Sequence, residues 1–188
     1  MSETVTDKLS RVDEDLLYST LRDMFSSNSA VRVIKSPQFS WRATPQENLH
    51  MNELCDSLLI TSNEVVMFEI KTCSSPNIPE AWLRNKPFEA RKQSLYAAEN
   101  YLNHDSVLVG ELEGEDFKKK KWSQITVLNS NSAPDSLQFV SSRLIQKQSR
   151  PIGFFTKTKT LTLNEICAIP RIYGVDGLFE IPSTMDMP

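Results

Sequence analysis

Apolar residues recur along this chain with two different periods. Over residues 13–25, Leu17, Leu21, Met24 and Phe25 return at helical spacing behind Ser10 and Asp13 as candidate caps, which predicts an amphipathic helix. Residues 30–35 and 39–43 alternate instead, interrupted by Pro37 and Pro45, and predict short strands. Residues 55–72, CDSLLITSNEVVMFEIKT, are two apolar runs around a polar Ser62-Asn63 step, the pattern of a β-hairpin. Residues 73–87 hold too few periodic positions for an assignment. Residues 87–102, rich in Ala, Glu, Lys, Gln and Leu, predict a second helix with Pro87 in its first turn. Residues 106–110, 123–128 and 152–156 read as strands, and Thr162 to Glu165 spells a capping box opening a short helix. Strands enclosed by helices imply an α/β domain.

The length of 188 residues fits one domain, with a core over about 13–128 and a C-terminal extension over about 129–188. With 39% hydrophobic and 24% charged residues, the chain has no long uncharged apolar stretch, so a membrane partner is not expected. The polar, acidic N-terminus lacks the basic start and apolar run of a signal peptide, and the expected location is cytoplasmic. Cys55, Cys73 and Cys167 have no C-x-x-C spacing and read as reduced thiols. A net charge of −3 supplies no global attraction for a polyanion, though a local basic surface still can.

The hairpin carries charges where a core hairpin favours apolar residues. With Ser62 and Asn63 as a two-residue loop, Thr61 stands opposite Glu64, and the same antiparallel register sets Asp56 opposite Glu69. Opposed side chains share a face with Cβ atoms roughly 4.5–5.5 Å apart, and Lys71 joins them because strand side chains repeat every second residue. A four-residue loop keeps this register; a three-residue loop sends Asp56 to the other face. Two opposed carboxylates repel, so a structural ion cluster needs Lys71 as the compensating partner. The other arrangement is a divalent metal, because carboxylate oxygens are hard ligands for Mg²⁺ or Mn²⁺, ions that hold phosphate oxygens and activate water. Spacing alone leaves both open.

The order of acid, apolar strand, turn, apolar strand ending in Glu69-Ile70-Lys71, then helix resembles the PD-(D/E)XK nuclease superfamily across residues 13–109. The resemblance implies a restriction-endonuclease-like core, a mixed central β-sheet flanked by helices in the order α-β-β-β-α-β. It implies that Asp56 and Glu69 bind Mg²⁺ or Mn²⁺, that the main-chain carbonyl of Ile70 completes the metal shell, and that Lys71 positions or helps deprotonate the attacking water. Asp56, Glu69 and Lys71 are then the catalytic set. Several branches add an acid from the first helix, and Glu14, on one face with Leu17 and Leu21, is that candidate; a first-turn acid favoured by the helix dipole is the alternative. Gln93 resembles the Gln of the RecB-like branch, but Tyr96 follows it by three residues instead of one full turn, which favours a solvated helix face. Cys55 stands where the name-giving Pro usually precedes the acid, and Glu53 replaces Asp56 as ligand if the strand begins earlier.

Lys118, Lys119, Lys120 and Lys121, followed by Trp122, form the densest positive run and are the candidate nucleic-acid contact, neutralising phosphates beside a stacking ring. A solvated loop is the competing reading, and the acidic residues 111–116 just before it blunt long-range attraction. His50 and His104 lack metal or triad spacing, and no Gly-rich phosphate loop occurs. The expected function is a metal-dependent nuclease hydrolysing phosphodiester bonds in nucleic acid, DNA before RNA. The alternatives are a nuclease-like fold without catalysis that serves as a binding module, or an RNA endonuclease domain of a viral polymerase. Those polymerase domains that use a metal-binding His place it in the first helix, and no His lies within residues 13–25.

Overall fold

Leu17, Leu21, Met24 and Phe25 are all at most 3% exposed, so the helical stripe seen in the sequence is the buried face of a long first helix, α1 (Val5–Met24). The structure, a computed structural model, describes residues 5–42, 44, 48–75, 77–130, 153–168 and 175–180. Helix α1 begins well before residue 13, so Ser10 and Asp13 are helical positions and not caps. Asp13 is instead buried and accepts a hydrogen bond from the Thr72 hydroxyl.

Five strands follow: β1 (Arg32–Lys35), β2 (Gln38–Trp41), β3 (His50–Glu53), β4 (Ser57–Ile60) and β5 (Glu64–Cys73). Helix α2 (Glu80–Asn103) then leads to β6 (Val107–Leu108), a 3₁₀ turn (Gly110–Leu112) and β7 (Lys121–Ser130). Beyond lie β8 (Lys157–Thr162), α3 (Leu163–Cys167) and α4 (Val175–Glu180). The main sheet has the order β1-β4-β5-β7-β8, antiparallel on the β1 and β4 side and parallel from β5 to β8. A parallel step cannot be closed by a tight turn, and α2 is the crossover between β5 and β7. Val66, Phe68 and Ile70 of β5 pack into one core with α1, while Val65 and Met67 face the other core with Ala98 and Tyr101 of α2. The protein is therefore a mixed α/β sheet flanked by helices, and β5 and β7 are buried on both faces as interior strands require. A second, small sheet of order β3-β2-β6 lies beside it.

Several elements differ from expectation. Helix α2 starts at Glu80, and Pro87 sits inside it, buried beside Leu83, Ala90 and Ser94. The missing Pro87 N–H costs one helical bond, yet the helix runs on because that stripe packs on the sheet. The strand expected over residues 106–110 shortens to Val107–Leu108, and β3 was not anticipated. The strand expected over 152–156 is displaced: Ile152 lies outside the described residues, Gly153 and Phe154 turn, and the strand is β8. Its α2-facing positions are Thr158, Thr160 and Thr162, so an apolar pattern could not mark it. Residues past 129 also belong to the core, since β8 completes the sheet and Leu161, Leu163, Ile166, Val175 and Leu178 join the α1 side. The capping box forms: Thr162 Oγ1 accepts from the Glu165 N–H, and Glu165 accepts from the Thr162 N–H. No helix among the described residues is long and apolar enough to cross a membrane.

Candidate active site

The hairpin turn falls at Ser62-Asn63, and Ile60 pairs with Val65 through to Ser57 with Phe68, the register expected from the sequence. Ser-Asn lacks the glycine that eases tight turns, and Thr61 supplies what is missing. Its hydroxyl accepts from the Asn63 and Glu64 N–H groups at 3.3 and 3.0 Å, while its own N–H donates to the Glu64 carbonyl at 2.9 Å.

At the other end of the hairpin the ladder slips by one residue. The Asp56 N–H donates to the Phe68 carbonyl at 3.1 Å although Ser57 already stands opposite Phe68, the two-against-one arrangement of a β-bulge. The Asp56 carboxylate then turns back along β5 and accepts the Ile70 N–H through Oδ2 at 2.6 Å, where the next ladder bond would have come from β4. The N–H and C=O of one strand residue point to the same side, so the Ile70 carbonyl also faces the edge that β4 has vacated.

Alternation places Glu69 and Lys71 on the α2 face, one residue out of phase with Phe68 and Ile70. The Lys71 ammonium lies 3.5 Å from Glu69 Oε2. Together with Asp56 and Glu53 they open onto a cavity of about 330 Å³, walled on the α2 side by Gln93, Tyr96 and Ala97. Glu69 is only 8% exposed. Burial, then the charge of Asp56, pushes its carboxyl well above the usual range against the pull of Lys71. Burial also raises Asp56, against the Ile70 hydrogen bond and Lys71. Glu53 is pushed up from 4.5 to about 7, first by desolvation and then by Asp56 and Glu14, with Lys35 and Lys71 opposing. Three carboxyl groups thus line the cavity with Lys71 as the one ammonium among its described lining residues, an arrangement that a divalent cation would relieve. The Cys55 thiol beside them is buried, donates to the Ser57 carbonyl, and is held protonated by burial and by Glu69 and Asp56.

The donors suit a hard cation: carboxylate oxygens from Asp56 and Glu69 and the Ile70 carbonyl. Among the described residues no three His, Cys, Asp or Glu side chains cluster tightly enough to cage a metal by themselves, so any such shell would be completed by main-chain oxygen or water. Glu14 is half-buried on α1, which packs on the opposite face of the sheet; it is not among the cavity-lining residues, and its charge reaches Glu53. Gln93 is exposed, as the solvated-face reading has it, and it also lines the cavity, which only the packing of α2 over β5 reveals.

No family model and no curated protein matches this chain. Among solved structures it is similar to the small subunit of the heterodimeric restriction endonuclease R.BspD6I, with 8% identity and a TM-score of 0.40, covering 91% of this chain and 86% of that one. The likeness is loose, and the chemistry rests on this chain's own side chains.

The lysine run lies elsewhere. Lys121 pairs with Glu64 at the start of β5, five residues from Glu69, or about 17 Å along the strand. Lys120 Nζ donates to the Thr61 and Ser62 carbonyls at 2.6 and 2.8 Å and so caps the hairpin turn. Lys118 Nζ donates to the His104 carbonyl, and Lys119 is exposed. Trp122 is 3% exposed, with its indole N–H on the Phe117 carbonyl, and offers no ring for a base. His50 and His104 stack on Trp41 at 4.9 and 4.4 Å, a packing role that their spacing did not announce.

Proposed function

We propose that this chain is a metal-dependent nuclease of the PD-(D/E)XK kind, hydrolysing phosphodiester bonds in nucleic acid, with DNA as the preferred substrate. The observation that carries the reading is the meeting of Asp56, Glu69 and Lys71 in one open cavity, with two raised carboxyls beside a single ammonium. Carboxylates of this kind are costly to keep as structure alone, and perturbed acids in a cleft mark sites of chemistry. Asp56 and Glu69, with the Ile70 carbonyl, are the residues that would hold Mg²⁺ or Mn²⁺. When bound, the ion supplies a polarised phosphate oxygen and a water of lowered pKa.

The protein's own groups supply the rest. The Ile70 N–H fixes one oxygen of Asp56 and so sets the direction of the other. Lys71 presents its ammonium on the same face as Glu69, where it can hold the attacking water and screen the charge that builds on phosphorus. Glu14, outside the cavity lining, is carried only as a further acid whose charge is felt at Glu53.

The test is cleavage of plasmid, single-stranded DNA and RNA by the purified chain in Mg²⁺, Mn²⁺ or chelator. Cleavage that needs the ion and vanishes in Glu69→Ala and Lys71→Ala is expected. Activity surviving both substitutions together overturns the site. No cleavage of any substrate, with no Mn²⁺ bound, overturns the nuclease reading in favour of a binding module.

A further inference from the structure

Among the described residues, two aromatic side chains stand out as large exposed apolar groups, and both lie on α2: Phe88 at 48% and Tyr96 at 64%. The buried stripe of α2 includes Leu83, Pro87, Ala90, Arg91, Ser94 and Ala98, so neither ring has a packing task. Lys92 lies between them in sequence and holds its ammonium 4.6 Å from the centre of the Phe88 ring. The spacing from Phe88 to Lys92 to Tyr96 is four residues at each step. Each step advances about 6 Å along the axis and rotates about 40° around it. That rotation runs toward the flank carrying Gln93 and Ala97, and Tyr96 itself lines the cavity of Asp56, Glu69 and Lys71. Ring, cation and ring therefore form a diagonal ridge across the outside of α2 that ends at the candidate active site.

We infer that this ridge is the track along which single-stranded DNA reaches the cavity, with unpaired bases stacking on Phe88 and Tyr96 and the phosphate between them beside Lys92. The inference deepens the nuclease reading and rests on it for the destination of the strand. Stacking needs free base faces, which a duplex keeps inside its own stack, whereas a single strand offers them on every nucleotide. Charge points the same way. The protein has a net charge of −3, its densest lysine run is at the far end of β5, and among the described residues lining the cavity Lys71 is the only basic one, which leaves little to grip a duplex. Nearby acids leave the rings as the main source of binding: Glu89 is paired with Lys86, and Glu99 stands one turn beyond Tyr96.

Fluorescence anisotropy in chelator separates binding from cleavage. The probes are a labelled oligothymidylate of about a dozen nucleotides, a duplex of equal length and the matching oligouridylate. Wild type should bind the single DNA strand at least about tenfold more tightly than the duplex. Phe88→Ala and Tyr96→Ala should each lose about tenfold, and the pair about a hundredfold. Phe88→Tyr and Tyr96→Phe should retain binding, and Lys92→Gln should shallow the salt dependence by about 0.7 in log–log slope. Both rings are exposed, so the variants should melt with wild type. Unchanged binding by the double alanine variant overturns the track, as does equal or tighter binding of duplex or RNA by wild type. The two readings fail separately. Ring-dependent binding without ion-dependent cleavage removes the nuclease, whereas cleavage of single strands at wild-type rate by the double alanine variant removes the track.

Discussion

Replacing Asp56 by Ala and by Asn separates its structural work from its chemical work. In wild type, Asp56 Oδ2 takes the Ile70 N–H at 2.6 Å in a strand position only 4% exposed, where no neighbouring strand offers another acceptor. Alanine leaves that N–H buried and unpaired, at a cost of about 2 kcal/mol within a range of roughly 1–3. At about 2–4 °C per kcal/mol for domains of 150–250 residues, the 188-residue chain should melt about 4–8 °C lower. Asparagine keeps an oxygen for Ile70 and removes the charge facing Glu69, so it should stay within about 1 kcal/mol of wild type. Metal reverses the grouping. At a Mn²⁺ concentration about a hundred times its dissociation constant, wild type gains about 2.7 kcal/mol, or about 5–11 °C, while both variants gain little. Thermal melts by circular dichroism, in chelator and across a MnCl₂ series, read both effects. Equal stability of the two variants in chelator refutes the role given to the Ile70 bond, and a wild-type Mn²⁺ shift in either variant refutes Asp56 as a ligand.

The other groups of the site respond in distinct ways. Lys71→Met should abolish cleavage while keeping the Mn²⁺ melting shift, because it removes the cation and leaves both carboxylates; loss of the shift would place Lys71 in a purely structural role. Metal-free stability should fall as pH rises from about 4.5 through about 7, since the folded state holds the Glu53 proton more tightly than the unfolded chain, and Glu69 and Asp56 are displaced in the same direction. Urea melts in chelator between pH 5 and 8 measure this, and Glu53→Gln should flatten the slope. Lys120→Ala should destabilise by about 1–2 kcal/mol through loss of its charged bonds to Thr61 and Ser62, with cleavage per folded molecule unchanged. A drop in specific activity at constant stability would return the lysine run to the substrate surface.

The parts of this protein that were legible in its sequence are those where one local signal agrees with the tertiary demand. Leu17, Leu21, Met24 and Phe25 repeat at helical spacing and are buried together. The capping box from Thr162 to Glu165 is complete within four residues. The hairpin register was readable because the two apolar runs flank a short polar step, and a one-residue slip would have exposed them. Where burial is satisfied by other means, the signal fades. Strand β8 turns threonines toward α2, and Pro87 is carried inside a helix by its packing on the sheet. The four lysines formed a visible run, but their separation from the cavity depends on the parallel pairing of β5 and β7, which no local pattern contains.

The site itself shows the same division at atomic scale. Alternation placed Glu69 and Lys71 on one face, and that much follows from a period of two. Extending the regular ladder set Asp56 directly opposite Glu69, whereas the bulge puts Asp56 and Ser57 together opposite Phe68 and turns the Asp56 carboxylate onto the Ile70 N–H. An unbroken ladder would have joined Ile70 to β4 at both its N–H and its carbonyl. By ending the pairing one residue early, the chain makes Asp56 replace the missing strand at the Ile70 N–H and leaves the Ile70 carbonyl on the edge that β4 has vacated. The same irregularity therefore repairs the sheet and turns the Asp56 carboxylate along β5 toward the face of Glu69 and Lys71, the arrangement on which the proposed cation site rests.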